Sequence, residues 1–326
     1  MLLSTYVAEA PWAKFLDSQP GSSIFQSPEL NRVYAKTVGF RPFVLAAESQ
    51  EAISAMVSGA IVSYSNGRLA RLTSRAIVVG GPLGEKSSFP AILEALDRFA
   101  GRSALCTQIR NLRAPSDRSV FDSRGYRWED HMNFIVDLDR TEESLWHNLS
   151  KARRKAIERA DRIGLKLIDL RTEQVRRVYN LLHETYSRAR IPLADCSLFE
   201  NAMEMLGPSG QLWAVAASRG ETVCAARFVL RWKRTLFDWY AGSSELGRTS
   251  HADEWLVWQI LLRGVRQGCV EFDFGGAGPP GTSYGPGEFK RRFGGTSINP
   301  GRFQKVYRPL TMRLSKVAFE AWRRWK

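Results

Sequence analysis

Between Gln211 and Phe274, three apolar-rich runs follow one another through short turns, and an amphipathic stretch then leads into a fourth. The runs 211–218, 222–232 and 236–242 read as an antiparallel meander of strands. Residues 251–268 read as a helix with Asp253 and Glu254 in its first turn and Arg263 and Arg266 in its last. Those charges complement the helix dipole. Val270–Phe274 then reads as a strand, and a loop rich in Gly and Pro follows. A meander, a helical crossover and a further strand close most simply as a mixed sheet covered by helices.

The first 140 residues show a rougher version of the same order. Ser27-Pro28 marks a helix start, with Ser27 as cap and Pro28 in the first turn. Strands are expected over 43–47, 55–64 and 69–79, with Asn66-Gly67 as a hairpin turn. A helix over 89–101 ends at Gly101, and strands follow over 104–110 and 126–139. Thr141 opens a helix that runs to about Ile163 and stops at Gly164. A strand over 165–170 and helices near 173–189 and 197–206 lead into the meander. A length of 326 residues fits two units of about 150 each. The expected class is therefore α/β with α+β mixed sheets, as two related lobes over 1–140 and 141–305.

An apolar fraction of 44% supports a sizeable core and excludes disorder as the main state. No apolar run approaches the roughly 18 residues that a bilayer span needs. Met1–Val7 has neither the basic segment nor the apolar run of a secretory signal. Cys106, Cys196, Cys224 and Cys269 lie far apart without a CxxC pair and read as reduced thiols of a cytoplasmic protein. GxSxG, HExxH and P-loop patterns are absent, and the four histidines are scattered. Gly276–Gly281 matches GxGxxG formally, but Pro279 and Pro280 supply no N–H groups and no helix follows.

The charge is concentrated. Residues 146–190 hold twelve Lys/Arg against five Asp/Glu, and 288–326 hold eleven against two, while the rest of the chain is close to neutral. Two such segments attract anions: RNA, nucleotide-linked substrates or an acidic membrane face. A pair of solvated helix faces is the plainer alternative.

Residues 271–276 read Glu-Phe-Asp-Phe-Gly-Gly, and 287–295 read Gly-Glu-Phe-Lys-Arg-Arg-Phe-Gly-Gly. Together with Leu149-Ser150-Lys151-Ala152-Arg153-Arg154-Lys155-Ala156-Ile157, Phe25-Gln26-Ser27-Pro28-Glu29-Leu30 and Gly80-Gly81-Pro82, this resembles the FemABX family, the aminoacyl transferases that build peptidoglycan interpeptide bridges. The sequence departs from that pattern in having no long charged helical hairpin, and Leu30 stands where an aromatic residue is often found. The resemblance implies two GNAT-like lobes, with 306–326 returning to the first. It also implies aminoacyl-tRNA as donor, a nucleotide- or lipid-linked peptidoglycan precursor as acceptor, and no bound cofactor or metal. The expected location is cytoplasmic, with the inner face of the cytoplasmic membrane as a further station.

Amide formation from an activated ester needs an oriented carbonyl, an unprotonated amine and a stabilised oxyanion. Lys290 suits the last role, and the resemblance puts Phe289 and Lys290 at the acyl-donor site. Phe289 and Phe293, four apart, read equally as core anchors of a short helix. Asp273 reads either as a general base that orients the amine or as a cap on loop N–H groups. Arg153 and Arg154, with Arg291 and Arg292, are candidates for gripping phosphate, on a shared positive surface. The resemblance assigns Lys36 and Arg188 to a nucleotide-linked substrate. An acyl-CoA-dependent N- or O-acyltransferase acting on an envelope glycan or lipid is the main alternative, although the Gly-rich pyrophosphate loop of GNAT enzymes is absent before 251–268. A non-catalytic basic module that binds RNA or membranes is a third reading.

Overall fold

The computed structural model describes residues 2–49, 52–63, 73–281 and 285–325. The expected Asn66-Gly67 turn lies outside them. Two compact units are formed by residues 1–130 with 300–326, and by residues 131–299.

The first unit opens with β1 (Leu2–Ser4), α1 (Glu9–Ser18) and α2 (Pro28–Lys36). Ser27 caps α2 by accepting a hydrogen bond from the Leu30 N–H at 3.1 Å. The meander β2 (Phe40–Ser49), β3 (Ala52–Val62) and β4 (Arg75–Val79) follows, with the short β5 (Leu83–Gly84) beside β3. Helix α3 (Phe89–Gly101) crosses over to β6 (Cys106–Arg110), burying Ile92, Leu93, Leu96 and Ala100 against the sheet. Then come α4 (Ser119–Ser123) and β7 (Arg127–Glu129).

The second unit contains β8 (Met132–Asp137), α5 (Glu142–Asn148), α6 (Lys151–Arg162), β9 (Lys166–Asp169), α7 (Val175–Ala189) and α8 (Cys196–Leu206). Its meander is β10 (Leu212–Arg219), β11 (Thr222–Trp232) and β12 (Thr235–Ser243). The short α9 (Glu245–Thr249) and the crossover helix α10 (Ala252–Arg266) lead to β13 (Glu271–Gly278), α11 (Gly285–Arg291) and β14 (Thr296–Ile298). The chain then returns to the first unit as β15 (Arg302–Val306) and α12 (Pro309–Trp325).

Both sheets are mixed. The first runs β1-β2-β3-β4-β6-β15-β7, and the second β14-β8-β13-β12-β11-β10-β9. Each contains an antiparallel meander, a helical crossover and one parallel pair, β4 with β6 and β12 with β13. The core of the second unit gathers Phe272, Phe274 and Phe293 with Leu256, Ile260 and Leu261 of α10.

Two sequence expectations change. The single strand over 126–139 is two: β7 pairs with β15 in the first sheet, and β8 pairs with β13 in the second. The division therefore falls after Asp130, not at 140, and the chain rejoins the first unit at Pro300, not at 306. The single helix over 141–163 is also broken. Leu149 is extended (φ −64°, ψ 143°), and Ser150 starts α6 by accepting from the Arg153 N–H at 3.2 Å. The Ser150 N–H, freed from any helix, donates to the Arg292 carbonyl at 3.0 Å.

Gly247 in α9 packs directly on β11: a Cβ there would lie 2.0 Å from the Cys224 carbonyl oxygen. Gly220, in the β10–β11 turn at φ +57°, has open space around it. Gly247→Ala is expected to destabilise the chain by about 1–3 kcal/mol or more, since backbone must move, and Gly220→Ala by about 1 kcal/mol from conformation alone. Urea unfolding of the two variants checks the order; equal midpoints would contradict the close approach.

Candidate active site

The two parallel pairs differ in one respect. β4 and β6 are paired along the full length of both, from Arg75 with Cys106 to Val79 with Arg110. β12 and β13 pair only from Thr235 with Glu271 to Phe237 with Asp273, although β12 continues to Ser243 and β13 to Gly278. Irregularities on both strands accompany the separation. β12 shifts register against β11 between Asp238 and Tyr240, and β13 shifts against β8 around Gly276. Gly275 takes φ +67° inside this stretch, a conformation open to glycine at little cost. The second sheet therefore offers a wedge of unpaired backbone between β12 and β13.

Phe272 and Phe274 point into the core in a T-shaped pair with centroids 4.8 Å apart. Asp273 faces the other side of the strand and is only 2% exposed. Its Oδ1 accepts from Asn133 Nδ2 and from the Gly275 N–H, each at 2.7 Å. Of the two sequence readings of Asp273, the geometry displays the cap: the carboxylate holds the irregular turn of β13.

Lys290 projects from α11 onto the same turn. Its Nζ donates to the carbonyls of Phe274 (2.6 Å), Gly276 (2.8 Å) and Gly275 (3.2 Å). Three N–H groups meet three acceptors, so a role at an oxyanion requires one of these bonds to be exchanged. The Gly275 bond is the longest. Burial pushes the Lys290 ammonium down to about 8, against the pull of Asp238, which favours the charged form.

Phe289 and Phe293 are the anchors of α11, with centroids 5.3 Å apart and Phe293 fully buried. The Arg153 guanidinium lies over both rings, at 4.4 and 4.3 Å from their centroids. Arg153 is itself only 4% exposed. It pairs with Glu254 at 3.0 Å and donates to the Phe289 carbonyl at 3.0 Å. Beside it, Arg227 of β11 holds both oxygens of Asp253, at 3.0 and 2.9 Å, and Asp238 Oδ2 at 2.5 Å. Burial raises the Asp253 pKa, and Arg227 works to lower it. The other oxygen of Asp238, Oδ1, is buried with no hydrogen-bond partner among the described residues. It sits on the residue that follows the last β12–β13 pair.

Sequence reasoning missed Arg227, Asp238, Asp253 and Glu254 as a cluster. One signal existed: Arg227 interrupts the apolar run Val223–Leu230, where a charged side chain needs a buried partner.

The remaining candidates differ in exposure and in partners. Arg154 Nη1 donates to the Leu149 and His147 carbonyls at 2.6 and 2.9 Å, closing the C-terminus of α5. Arg291 and Arg292 are exposed, and both pair with Glu288 at 2.8 and 3.0 Å. Those two arginines hold the Glu288 carboxyl down to about 2. Arg188 is exposed near the end of α7, where burial and the neighbouring Arg248 lower its pKa. Lys36 lies exposed in the last turn of α2, in the first unit. The expected shared surface is thus corrected: Arg153 is internal, tied to backbone and rings, and the half-buried Lys290 is tied to backbone carbonyls. The exposed cations of α6 are instead Lys151, Lys155, Arg159 and Arg162. Their spacing puts them on one stripe opposite the buried Arg153, Ile157 and Ala160. No group of His, Cys, Asp or Glu able to hold a metal ion occurs among the described residues.

Breaking the Arg153–Glu254 pair strands a buried charge, so Arg153→Met is expected to cost about 3–5 kcal/mol, and Arg153→Met with Glu254→Leu to recover much of it. Chemical denaturation of both variants decides; an equally unstable double variant would mean that ring packing, not charge, dominates. Lys290 gives a pH signature. The unfolded chain holds this proton to about 10.5 and the native chain releases it at about 8. Between those values the unfolded state binds more protons, so stability relative to Lys290→Met rises with pH. A difference that is flat from pH 8 to 10.5 would show that the buried amine stays charged.

Residues 144–291 match the acetyltransferase (GNAT) domain family. No curated protein is significantly similar in sequence. Among solved structures, FemX is 13% identical, with 97% of this chain and 100% of that chain covered and a TM-score of 0.70. L-PGS from Bacillus licheniformis is 17% identical over 95% and 96% of the two chains, with a TM-score of 0.59. A tandem GNAT protein from the clavulanic acid biosynthesis pathway is 10% identical over 94% and 98%, with a TM-score of 0.60. Most of the second unit, with its opened parallel pair, thus matches the GNAT acetyltransferase domain model, and the chain as a whole has a fold similar to that of FemX.

Proposed function

We propose that the chain transfers an aminoacyl group from aminoacyl-tRNA to an amine of a nucleotide- or lipid-linked peptidoglycan precursor. The observation that carries this reading is the wedge between β12 and β13, with Lys290 on one side and an unpartnered Asp238 oxygen on the other. The acceptor amine attacks the ester carbonyl carbon. Asp238 Oδ1 takes a proton from the amine, and the Lys290 ammonium exchanges its Gly275 carbonyl for the oxyanion. Collapse breaks the bond to the tRNA ribose oxygen, which receives the proton, and leaves an amide. Asp238 replaces Asp273 as the base, since Asp273 caps the turn. Phe289 is a positioning residue that seats Lys290 through α11.

The donor choice rests on α10. A CoA pyrophosphate in a GNAT enzyme binds a Gly-rich loop ahead of this helix. Here α9 fills that place, capped by Ser244, whose side chain accepts from the Gly247 N–H at 3.0 Å. The first turn of α10 holds Asp253 and Glu254, whose carboxylates, paired with Arg227 and Arg153, occupy the helix end that would otherwise attract phosphate. The stripe Lys151, Lys155, Arg159 and Arg162 spans about 16 Å and suits the phosphates of an RNA strand. The full-length likeness to FemX agrees with this reading, and so does that to L-PGS.

Mass spectrometry of precursor amines incubated with charged tRNA or with acyl-CoA tests the assignment: product is expected from the first only. Asp238→Asn keeps an oxygen for Arg227 and is expected to lower kcat about 100-fold with KM little changed. Lys290→Ala is expected to lower kcat, and Lys290→Arg to restore little. A product formed from acyl-CoA alone, or Asp238→Asn at full kcat, would overturn the reading.

A further inference from the structure

Among the described residues of helix α12, Met312 is the buried side chain. It packs with Leu105 and Cys106 of the first unit. Leu310, Leu314 and Val317 are 75%, 70% and 65% exposed. Spacings of four and three place them on one stripe, which the exposed Ala321 extends by a turn. Met312 lies two residues from both Leu310 and Leu314, about 200° around the helix, so the stripe faces away from the contact that anchors it. Among the described residues, five of the nine exposed large apolar side chains fall between Val306 and Phe319. The helix therefore satisfies its inner face and still presents a second apolar one.

The charges beside the stripe select what covers it. Arg313 and Lys316 are exposed within the same turns, and Arg308 is exposed just before the helix. Residues 308–326 contain six Lys/Arg and a single acid, Glu320. A second copy of the helix would set these cations against one another, and RNA would leave the leucines in water. An anionic bilayer answers both features, with the stripe at the acyl boundary and the cations at lipid phosphates. Among the described residues no helix is long and apolar enough to cross a membrane, so the geometry is that of a helix lying on the surface.

We propose that α12 docks the chain flat on an anionic lipid bilayer, with Leu310, Leu314 and Val317 inserted and Arg313 and Lys316 at the headgroups. This inference rests on α12 alone and holds whatever acyl group the second unit transfers. Co-sedimentation of the full chain with vesicles tests it. Binding is expected to vesicles of three parts phosphatidylcholine to one part phosphatidylglycerol, at least tenfold tighter than to pure phosphatidylcholine, and to weaken with salt. Leu314→Glu with Val317→Glu is expected to reduce that binding at least tenfold. Arg313→Gln with Lys316→Gln is expected to remove the preference for the anionic vesicles. All four side chains are exposed, so thermal unfolding is expected to be unchanged in both variants. Failure to bind the anionic vesicles would overturn the proposal. So would undiminished binding by the Glu variant, or a dimer in sedimentation velocity that this variant abolishes, since the stripe would then be a self-interface.

Discussion

Where β12 and β13 part, β13 turns out of its regular ladder and exposes three carbonyls that need donors. Lys290 supplies all three from one ammonium. That places α11, which carries Lys290, under a strict positional demand, met by Phe289 and Phe293 against the Arg153 guanidinium. Arg153 is held in turn by Glu254, the neighbour on α10 of Asp253, which holds Arg227. Arg227 completes the circuit by fixing one oxygen of Asp238. Six elements are tied through buried charge, in surroundings where a lost partner is costly and a full set is rigid.

The two units make the consequence of that network visible by contrast. Each has a meander, a crossover helix and a parallel strand in the same order. In the first, the parallel pair is closed along its length, and β15 from the end of the chain lies on the far side of β6. In the second, the pair opens after three residues, and the opening is lined by Lys290 and Asp238. The same topology thus yields a parallel pair closed along its length in one unit and an opened pair in the other. The difference lies in a register shift on each of two strands, at 238–240 and 273–278, and a glycine at positive φ.

Much of the fold was legible because it rests on local periodicity. The meander over 211–242, the dipole-matched helix α10, the Ser27-Pro28 start of α2 and the extent of α3 follow from alternation, capping and spacing, which neighbours in space reinforce. The breaks were hidden for the opposite reason. Nothing local stops a helix at Leu149; the interruption is held by the Arg292 carbonyl from a segment about 140 residues later, and by Arg154 folding back on α5. Likewise 126–139 alternates as one strand, and only pairing partners from two different sheets divide it.

The site divides along the same line. By itself the sequence determined that Phe289 and Lys290 follow a strand and a glycine-rich loop, that Asp273 faces away from Phe272 and Phe274, and that positive charge is concentrated near α6 and the chain's end. These are matters of order, alternation and count. Only the tertiary structure decided that Arg153 is an internal strut rather than a phosphate grip, that Asp273 caps a turn, and that Asp238 carries the unpartnered oxygen. A side chain's charge is written in its identity, but its availability depends on which distant groups are packed against it, and that is settled only when the strands and helices come together.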